Sequence, residues 1–150
     1  MSIDTGRGGE RLTAETEKIA YHPRWMQFMY VLVIIVAGFA GLTGLIAPDW
    51  LHTFQSVPIQ EPFIAGVAYS MWFALAIWSI AGLRSPLKYT PVLLLVMTYK
   101  TVWLLAVVVP HAVSGEALPS SVVFNGVGWI FVIIGCAIAI PWKYVFAKSK

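Results

Sequence analysis

The chain has 150 residues, of which 59% are hydrophobic and 11% charged, whereas a soluble domain carries roughly 25% charged residues. Too few charges are present to cover a water-facing surface, so we exclude a soluble globular domain and predict a membrane protein. The net charge of +3 does not indicate nucleic-acid binding, because the basic residues stand beside apolar runs and not in a patch on a folded soluble face.

The chain begins with a polar segment of mixed charge, residues 1–24. A cleavable signal peptide needs its apolar stretch close to the start and a small-residue cleavage site behind it. The first apolar run instead begins near Met26 and is long enough to be a span. We therefore expect this segment to be retained in the cytoplasm. Thr13 is suited to cap a short surface helix over 13–20, which Pro23 is predicted to end.

Four later stretches have the length and composition of membrane-spanning helices. A span needs about 20 apolar residues, and prolines delimit several of these stretches. Pro48 and Pro86 follow the first two, Pro91 stands in the first turn of the third, and Pro110 is predicted to end it. The fold class is therefore predicted to be all-α, a polytopic antiparallel bundle within residues 25–142 followed by a basic cytoplasmic tail at 143–150, with spans at about 26–47, 62–83, 90–110 and 121–141.

Basic residues predict the orientation of the bundle. The two connections at 48–61 and 110–120 contain no Lys or Arg, and the positive-inside rule then places both termini in the cytoplasm. Nine of the ten Lys and Arg residues fall on the predicted cytoplasmic side: Arg7, Arg11, Lys18, Arg24, Arg84, Lys88, Lys143, Lys148 and Lys150.

Two connections have distinct characters. The turn at 84–89 is short, so the second and third spans are predicted to form an antiparallel hairpin. The connection at 48–61 is longer than a tight helical turn needs, and its residues 49–54 are amphipathic. This segment is predicted either to lie along the outer surface or to dip into the bundle.

Lys100 is the tenth basic residue and lies about halfway along the third predicted span. A charge at the bilayer centre costs about 2.5–3.5 kcal/mol on insertion scales, so such a residue normally faces the bundle or enclosed water. Lys100 is the leading candidate for ligand binding. The alternative is that it bonds polar groups between helices and stabilises their packing.

Depth along the helices suggests neighbours for Lys100. At ~1.5 Å per residue, Tyr69 and Ser70 come closest to its level, while Thr43 and Asn125 lie nearer the outer ends. Glu61 is a candidate counter-ion, or alternatively an ordinary helix N-cap. Three aromatic residues are candidate pocket walls or ordinary core residues: Trp72, Tyr99 and Trp103. The predicted ligand-binding set is Lys100, Tyr69, Ser70, Asn125, Glu61, Thr43, Trp72 and Trp103.

The cytoplasmic half of the predicted bundle is apolar, which argues against a through-pore and favours a pocket that opens outward or sideways. Small residues at a spacing of four, Ala37 with Gly41 and Ala40 with Gly44, predict close helix packing. This spacing suits packing within the chain and oligomerisation equally well.

No cofactor or metal is predicted. Cys136 is the single cysteine, which excludes an intramolecular disulfide or a thiolate cluster. The three histidines lie near span ends, whereas a bis-histidine haem needs both ligands inside the bundle. A metal site in the two outer loops would draw on residues without ligand spacing: Asp49, His52, His111 and Glu116.

The segment 84–91, with the sequence RSPLKYTP, followed by VMTYKTVWLL at 96–105, resembles the DoxX-like group of small four-helix bacterial membrane proteins. The resemblance covers mainly the central hairpin and implies an architecture, and with it a location in the bacterial inner (plasma) membrane. The quinone- or thiol-linked roles suggested for parts of that group gain no support from Cys136 alone.

Three classes of function remain open. The first is binding of a hydrophobic or amphipathic molecule, such as a lipid, isoprenoid or quinone, in a pocket around Lys100. The second is an accessory or scaffold role in a larger membrane complex or homo-oligomer. The third, an intramembrane enzyme or proton-coupled carrier, needs an acid/base pair, which only Lys100 with Glu61 or Tyr69 could form. Membrane lipids are predicted partners in each case, and nucleic acid is not.

Overall fold

The computed structural model of the protein describes residues 22–55, 61–115 and 117–146. Every regular element in this part of the chain is a helix, and four helical stretches are long and apolar enough to cross a membrane. The prediction of an all-α polytopic membrane protein is therefore confirmed. The helix predicted at 13–20 and the end of the basic tail, residues 147–150, lie outside the described residues.

The four candidate spans follow the chain order of the predicted ones. The first span is α1 (Pro23–Ile46), and a short helix, α2 (Pro48–Gln55), separates it from the second span, α3 (Pro62–Arg84). The third span consists of α4 (Thr90–Trp103), a π-helical segment (Leu104–Val108) and α5 (Val109–Val113). The fourth span is α6 (Ser120–Ala139), and a short helix, α7 (Trp142–Val145), follows it.

Prolines begin several of these helices. Pro23, Pro62 and Pro91 occupy the first turn of α1, α3 and α4, where the missing N–H has no intrahelical acceptor in any case. Pro23 therefore starts the first span, which extends three residues further toward the N-terminus than predicted.

Pro110 does not end the third span, contrary to the prediction from sequence. The helix continues to Val113, and the turns before the proline are π-helical over Leu104–Val108. A proline inside an α-helix clashes with the carbonyl four residues earlier. In the wider π turn the Val109 N–H bonds the Leu104 carbonyl, five residues earlier. This register moves the carbonyl that would clash with the Pro110 ring, so the helix continues through Pro110.

The buried core lies toward one end of the bundle. We call this the basic end, because Arg24, Arg84, Lys88 and Lys143 lie there. The Tyr30 hydroxyl donates to the Pro86 carbonyl at 2.9 Å, and the Trp25 indole N–H donates to the Gly135 carbonyl at 3.0 Å. These bonds tie α1 to the 84–90 turn and to α6. The core consists of Met26, Met29, Tyr30, Val33, Leu75, Leu93, Val96, Cys136, Ala139 and Ile140.

The small-residue stripe of α1 packs against α3. A Cβ atom added at Gly41 would lie 2.5 Å from the Phe73 backbone nitrogen, and one at Gly44 would overlap the Tyr69 ring. The two backbones therefore approach as closely as glycine allows. Of the two uses left open by the sequence, the structure shows packing within the chain for Gly41 and Gly44.

Helix α2 lies across the end of α1 that is opposite the basic end. Leu51 and His52 are buried, while Trp50 and Phe54 stack on each other at 5.2 Å between ring centroids and remain exposed. Phe39 of α1 contacts both rings edge-on. The amphipathic pattern seen in the sequence thus packs one face on the bundle and presents aromatic rings on the other.

Candidate functional site

Lys100 is buried in the middle of the bundle, with 6% of its surface exposed. Its ammonium lies 4.1 Å from the ring centroid of Trp129 and 4.9 Å from that of Tyr99. The expectation that Lys100 faces protein and not lipid is therefore confirmed. We call Lys100, Tyr99, Trp103 and Trp129 the central site.

The antiparallel arrangement of α4 and α6 explains why these residues meet. Lys100 is ten residues from Thr90, where α4 begins at the basic end, and Trp129 is ten residues from Ala139, where α6 ends there. Equal residue counts give equal depths in antiparallel helices. Trp103, one turn beyond Lys100, meets Trp129 edge-on at 4.3 Å, so the indoles form a wall beside the lysine.

The Lys100 ammonium has no hydrogen-bond acceptor and no ion-pair partner among the described residues. In the same part of the chain, every fully buried polar side-chain atom has a hydrogen-bond partner. It follows that the Lys100 nitrogen is not completely enclosed and keeps a small accessible surface. The central site therefore holds an ammonium whose hydrogen-bond donors have no acceptor among the described residues.

The aromatic rings stabilise the charge of Lys100 without satisfying its donors. A cation–π contact contributes about 0.5–2 kcal/mol depending on burial, which offsets much of the cost of placing the charge in the membrane. An ammonium nevertheless carries three N–H donors, and π faces are poor substitutes for lone pairs. The site thus has unused capacity to bind an acceptor.

The buried part of the third span ends at Lys100. Thr90, Leu93, Val96 and Lys100 are its buried residues, and none of the residues from Thr101 to Gly115 is buried. The central site therefore lies at the edge of the packed core, facing the part of the bundle where the third span is only partly covered.

Tyr69 and Trp72 belong to a second group of aromatic residues near α2. The Tyr69 hydroxyl and the His52 Nε2 are 3.2 Å apart in a buried hydrogen bond, and Trp72 contacts Tyr69 edge-on. We call His52, Tyr69 and Trp72 the outer cluster. A cleft of about 250 Å³ adjoins it, lined by Gly44, Leu45, Pro48, Asp49, His52, Pro62, Ala65, Gly66 and Tyr69.

Replacing Tyr69 with phenylalanine should loosen α2 from the bundle. The substitution removes the hydroxyl and leaves the buried His52 ring nitrogen without its partner, which costs about 1–3 kcal/mol. We expect a lower unfolding midpoint and faster proteolysis within α2. The control is Tyr144→Phe, at an exposed position, and an equal effect of both changes would contradict a stabilising role for the His52 bond.

The other predicted site residues are spread over the surface and the partly buried shell. The Glu61 carboxylate accepts from the Ile64 N–H at 2.9 Å and so caps α3, which is the alternative given for it above. Ser70 is exposed, and Thr43 and Asn125 are half-buried. None of these side chains bonds the Lys100 ammonium, and of the predicted set only Trp103 joins Lys100 in the central site.

Trp129 and His52 were not predicted as site residues from the sequence, whereas Tyr99 was predicted as a candidate pocket wall and does contact the Lys100 ammonium. The depth argument, had it been applied to aromatic residues as well as to polar ones, would have paired Trp129 with Lys100, because both lie ten residues from the basic end of their helices. His52 shows no such signal, because its burial depends on how α2 packs.

No group of three or more His, Cys, Asp or Glu side chains in the described ranges is close enough to hold a metal ion. Cys136 is buried in the core and is a free thiol. The fold and the central site define the class of protein: a small multi-pass helical membrane protein with a buried lysine whose ammonium contacts two aromatic rings. No protein-family model, curated protein or solved structure matches the chain.

Proposed function

We propose that this membrane protein binds a hydrophobic or amphipathic molecule, such as a lipid, isoprenoid or quinone, whose polar group meets the Lys100 ammonium. The observation that carries the proposal is Lys100 itself, a lysine with 6% of its surface exposed, whose ammonium contacts two aromatic rings and no acceptor among the described residues. A ligand with an oxygen acceptor would satisfy donors that the protein leaves unpaired.

The surroundings of the central site suit such a molecule. The Trp103 and Trp129 rings supply flat apolar surface beside the ammonium, and ligand sites are mostly apolar with a few polar groups that orient the ligand. The third span beyond Lys100 is only partly covered by the rest of the chain, and the proposed ligand would enter from this side. We also propose that the protein shares the four-helix architecture of the DoxX-like group, which its central hairpin resembles.

The test is to purify the protein in a mild detergent, extract what it retains and identify it by mass spectrometry. We expect a stoichiometric small molecule with the native chain and its loss from Lys100→Met. Lys88→Met is the matched control, because Lys88 is exposed in the 84–90 turn. A folded Lys100→Met variant that retains the same molecule would disprove the proposal.

An accessory or scaffold role in a larger membrane complex is the second candidate. The observation that favours it is the uncovered surface of the third span, where no residue from Thr101 to Gly115 is buried. Such a surface is suited to a protein neighbour as well as to lipid. Affinity purification from native membranes distinguishes the two, since a stoichiometric protein partner that survives Lys100→Met would support the subunit role.

The proposed orientation places both termini in the cytoplasm of a bacterial inner (plasma) membrane, because the bases cluster at one end. In a Cys136→Ala background, Ser114→Cys should react with a membrane-impermeant thiol reagent added to intact cells, and Ser149→Cys should react only after permeabilisation. Labelling of Ser149→Cys in intact cells would reverse the topology.

A further inference from the structure

We propose that the molecule bound at Lys100 is an amphiphile with one anionic head, a carboxylate or a phosphate monoester, on an apolar chain. This inference rests on the proposed function and specifies its ligand class. It follows from the charge of the bundle, from the depth of the ammonium and from the groups that surround it.

The charge balance of the spans points to an anion. No Asp or Glu occurs between residues 62 and 115 or between 117 and 150, nor between Trp25 and Pro48. Asp49 lies in α2 outside the spans, and the Glu61 carboxylate is used at the start of α3. Lys100 therefore has no carboxylate counter-charge within the four spans. A bound anion would supply it, and charge-assisted hydrogen bonds are about twice as strong as neutral ones.

The depth of Lys100 restricts the size of the head. Ten residues separate it from the basic end of α4, which corresponds to ~15 Å at the helical rise. The headgroups of the surrounding bilayer lie at the ends of the spans and do not reach this level. A small head on a flexible apolar chain can reach it by passing between partly covered helices.

The neighbours of Lys100 favour a head that carries negative charge alone. Tyr99 and Trp129 direct their π faces at the ammonium, so the ring faces that border the site already hold a cation. The anionic group of a zwitterionic head could pair with Lys100, but the ammonium of that head would find no carboxylate of the spans to pair with. A head with negative charge alone is the complementary partner.

The experiment uses the full-length protein, stripped of bound lipid and reconstituted in nanodiscs of phosphatidylcholine. Binding of hexadecanoate, hexadecyl phosphate, hexadecanol and methyl hexadecanoate is measured by native mass spectrometry and by the change in tryptophan fluorescence. We expect the two anions to bind about tenfold more tightly than the two neutral compounds. The preference between hexadecanoate and hexadecyl phosphate then distinguishes a fatty acid from a phosphorylated lipid as the source of the head.

Variants attribute this preference to Lys100. Lys100→Met should reduce it to less than about twofold, Lys100→Arg should keep it because the charge is retained, and Lys88→Met should leave it unchanged. Lys100→Gln serves in place of Lys100→Met if the latter does not elute as a single folded species.

The outcomes separate the ligand class from the site itself. If the neutral compounds bind as tightly as the anions and all four lose affinity in Lys100→Met, the site stands and the anionic class is wrong. If none of the four binds in a Lys100-dependent manner, the anionic class is wrong, and the extraction experiment with Lys100→Met separately decides the proposed function.

Discussion

Replacing Gly41 with alanine should destabilise the bundle by about 1–3 kcal/mol, because the added methyl group would overpack the contact between α1 and α3. The new Cβ would lie 2.5 Å from the Phe73 nitrogen, 2.8 Å from the Tyr69 carbonyl oxygen and 2.9 Å from the Phe73 Cα. All three are backbone atoms, so no side-chain rotation can relieve the overlap. The helices must move apart along their length.

Gly66→Ala is the matched control for this prediction. Gly66 also lies in a membrane-spanning helix, but a Cβ built there meets nothing within 4 Å. Its replacement should leave stability unchanged or raise it by up to about 1 kcal/mol, the difference in helix propensity between glycine and alanine. The measurement is the midpoint of SDS-induced unfolding followed by circular dichroism. Equal midpoints for Gly41→Ala and the native chain would show that the backbones of α1 and α3 are not in close contact at Gly41.

Replacing Lys100 with methionine should raise the stability of the bundle and abolish the binding proposed for Lys100. The change removes a charge that costs about 2.5–3.5 kcal/mol in the membrane, and it sacrifices two cation–π contacts of about 1 kcal/mol each, for a net gain of about 0.5–1.5 kcal/mol. Methionine keeps much of the length and the apolar stem of lysine. A rise in stability together with a loss of binding is expected when the replaced residue is retained for function.

Lys88→Met is the control and is measured in the same unfolding assay. It makes the same chemical change at an exposed position, where the Lys88 ammonium lies 5.9 Å from the centroid of the Tyr89 ring. We expect a shift of less than about 0.5 kcal/mol there. A clear loss of stability in Lys100→Met alone would mean that the ammonium holds the helices together, in line with the structural alternative for this residue.

Much of the fold follows from local properties of the chain. A helix of about 20 apolar residues is forced by the need to satisfy backbone polar groups in lipid, so the four spans can be located from composition and length. The same constraint places Lys100 against protein, because its charge is costly in hydrocarbon. Pro110 shows the limit of a local rule. A proline ordinarily ends or kinks a helix, but the π segment before it changes the hydrogen-bond register and the third span continues.

The membership of the site was decided by tertiary structure. Depth along a helix can be counted from the sequence, whereas the direction in which a side chain points depends on how each helix rotates against its neighbours. Close packing of Gly41 and Gly44 on α3 turns Tyr69 toward α1 and α2, where it bonds His52. The antiparallel pairing of α4 with α6 brings Trp129 to Lys100. The sequence by itself determined four spans, a basic end and a lysine that must face inward, and helix packing determined which side chains surround that lysine.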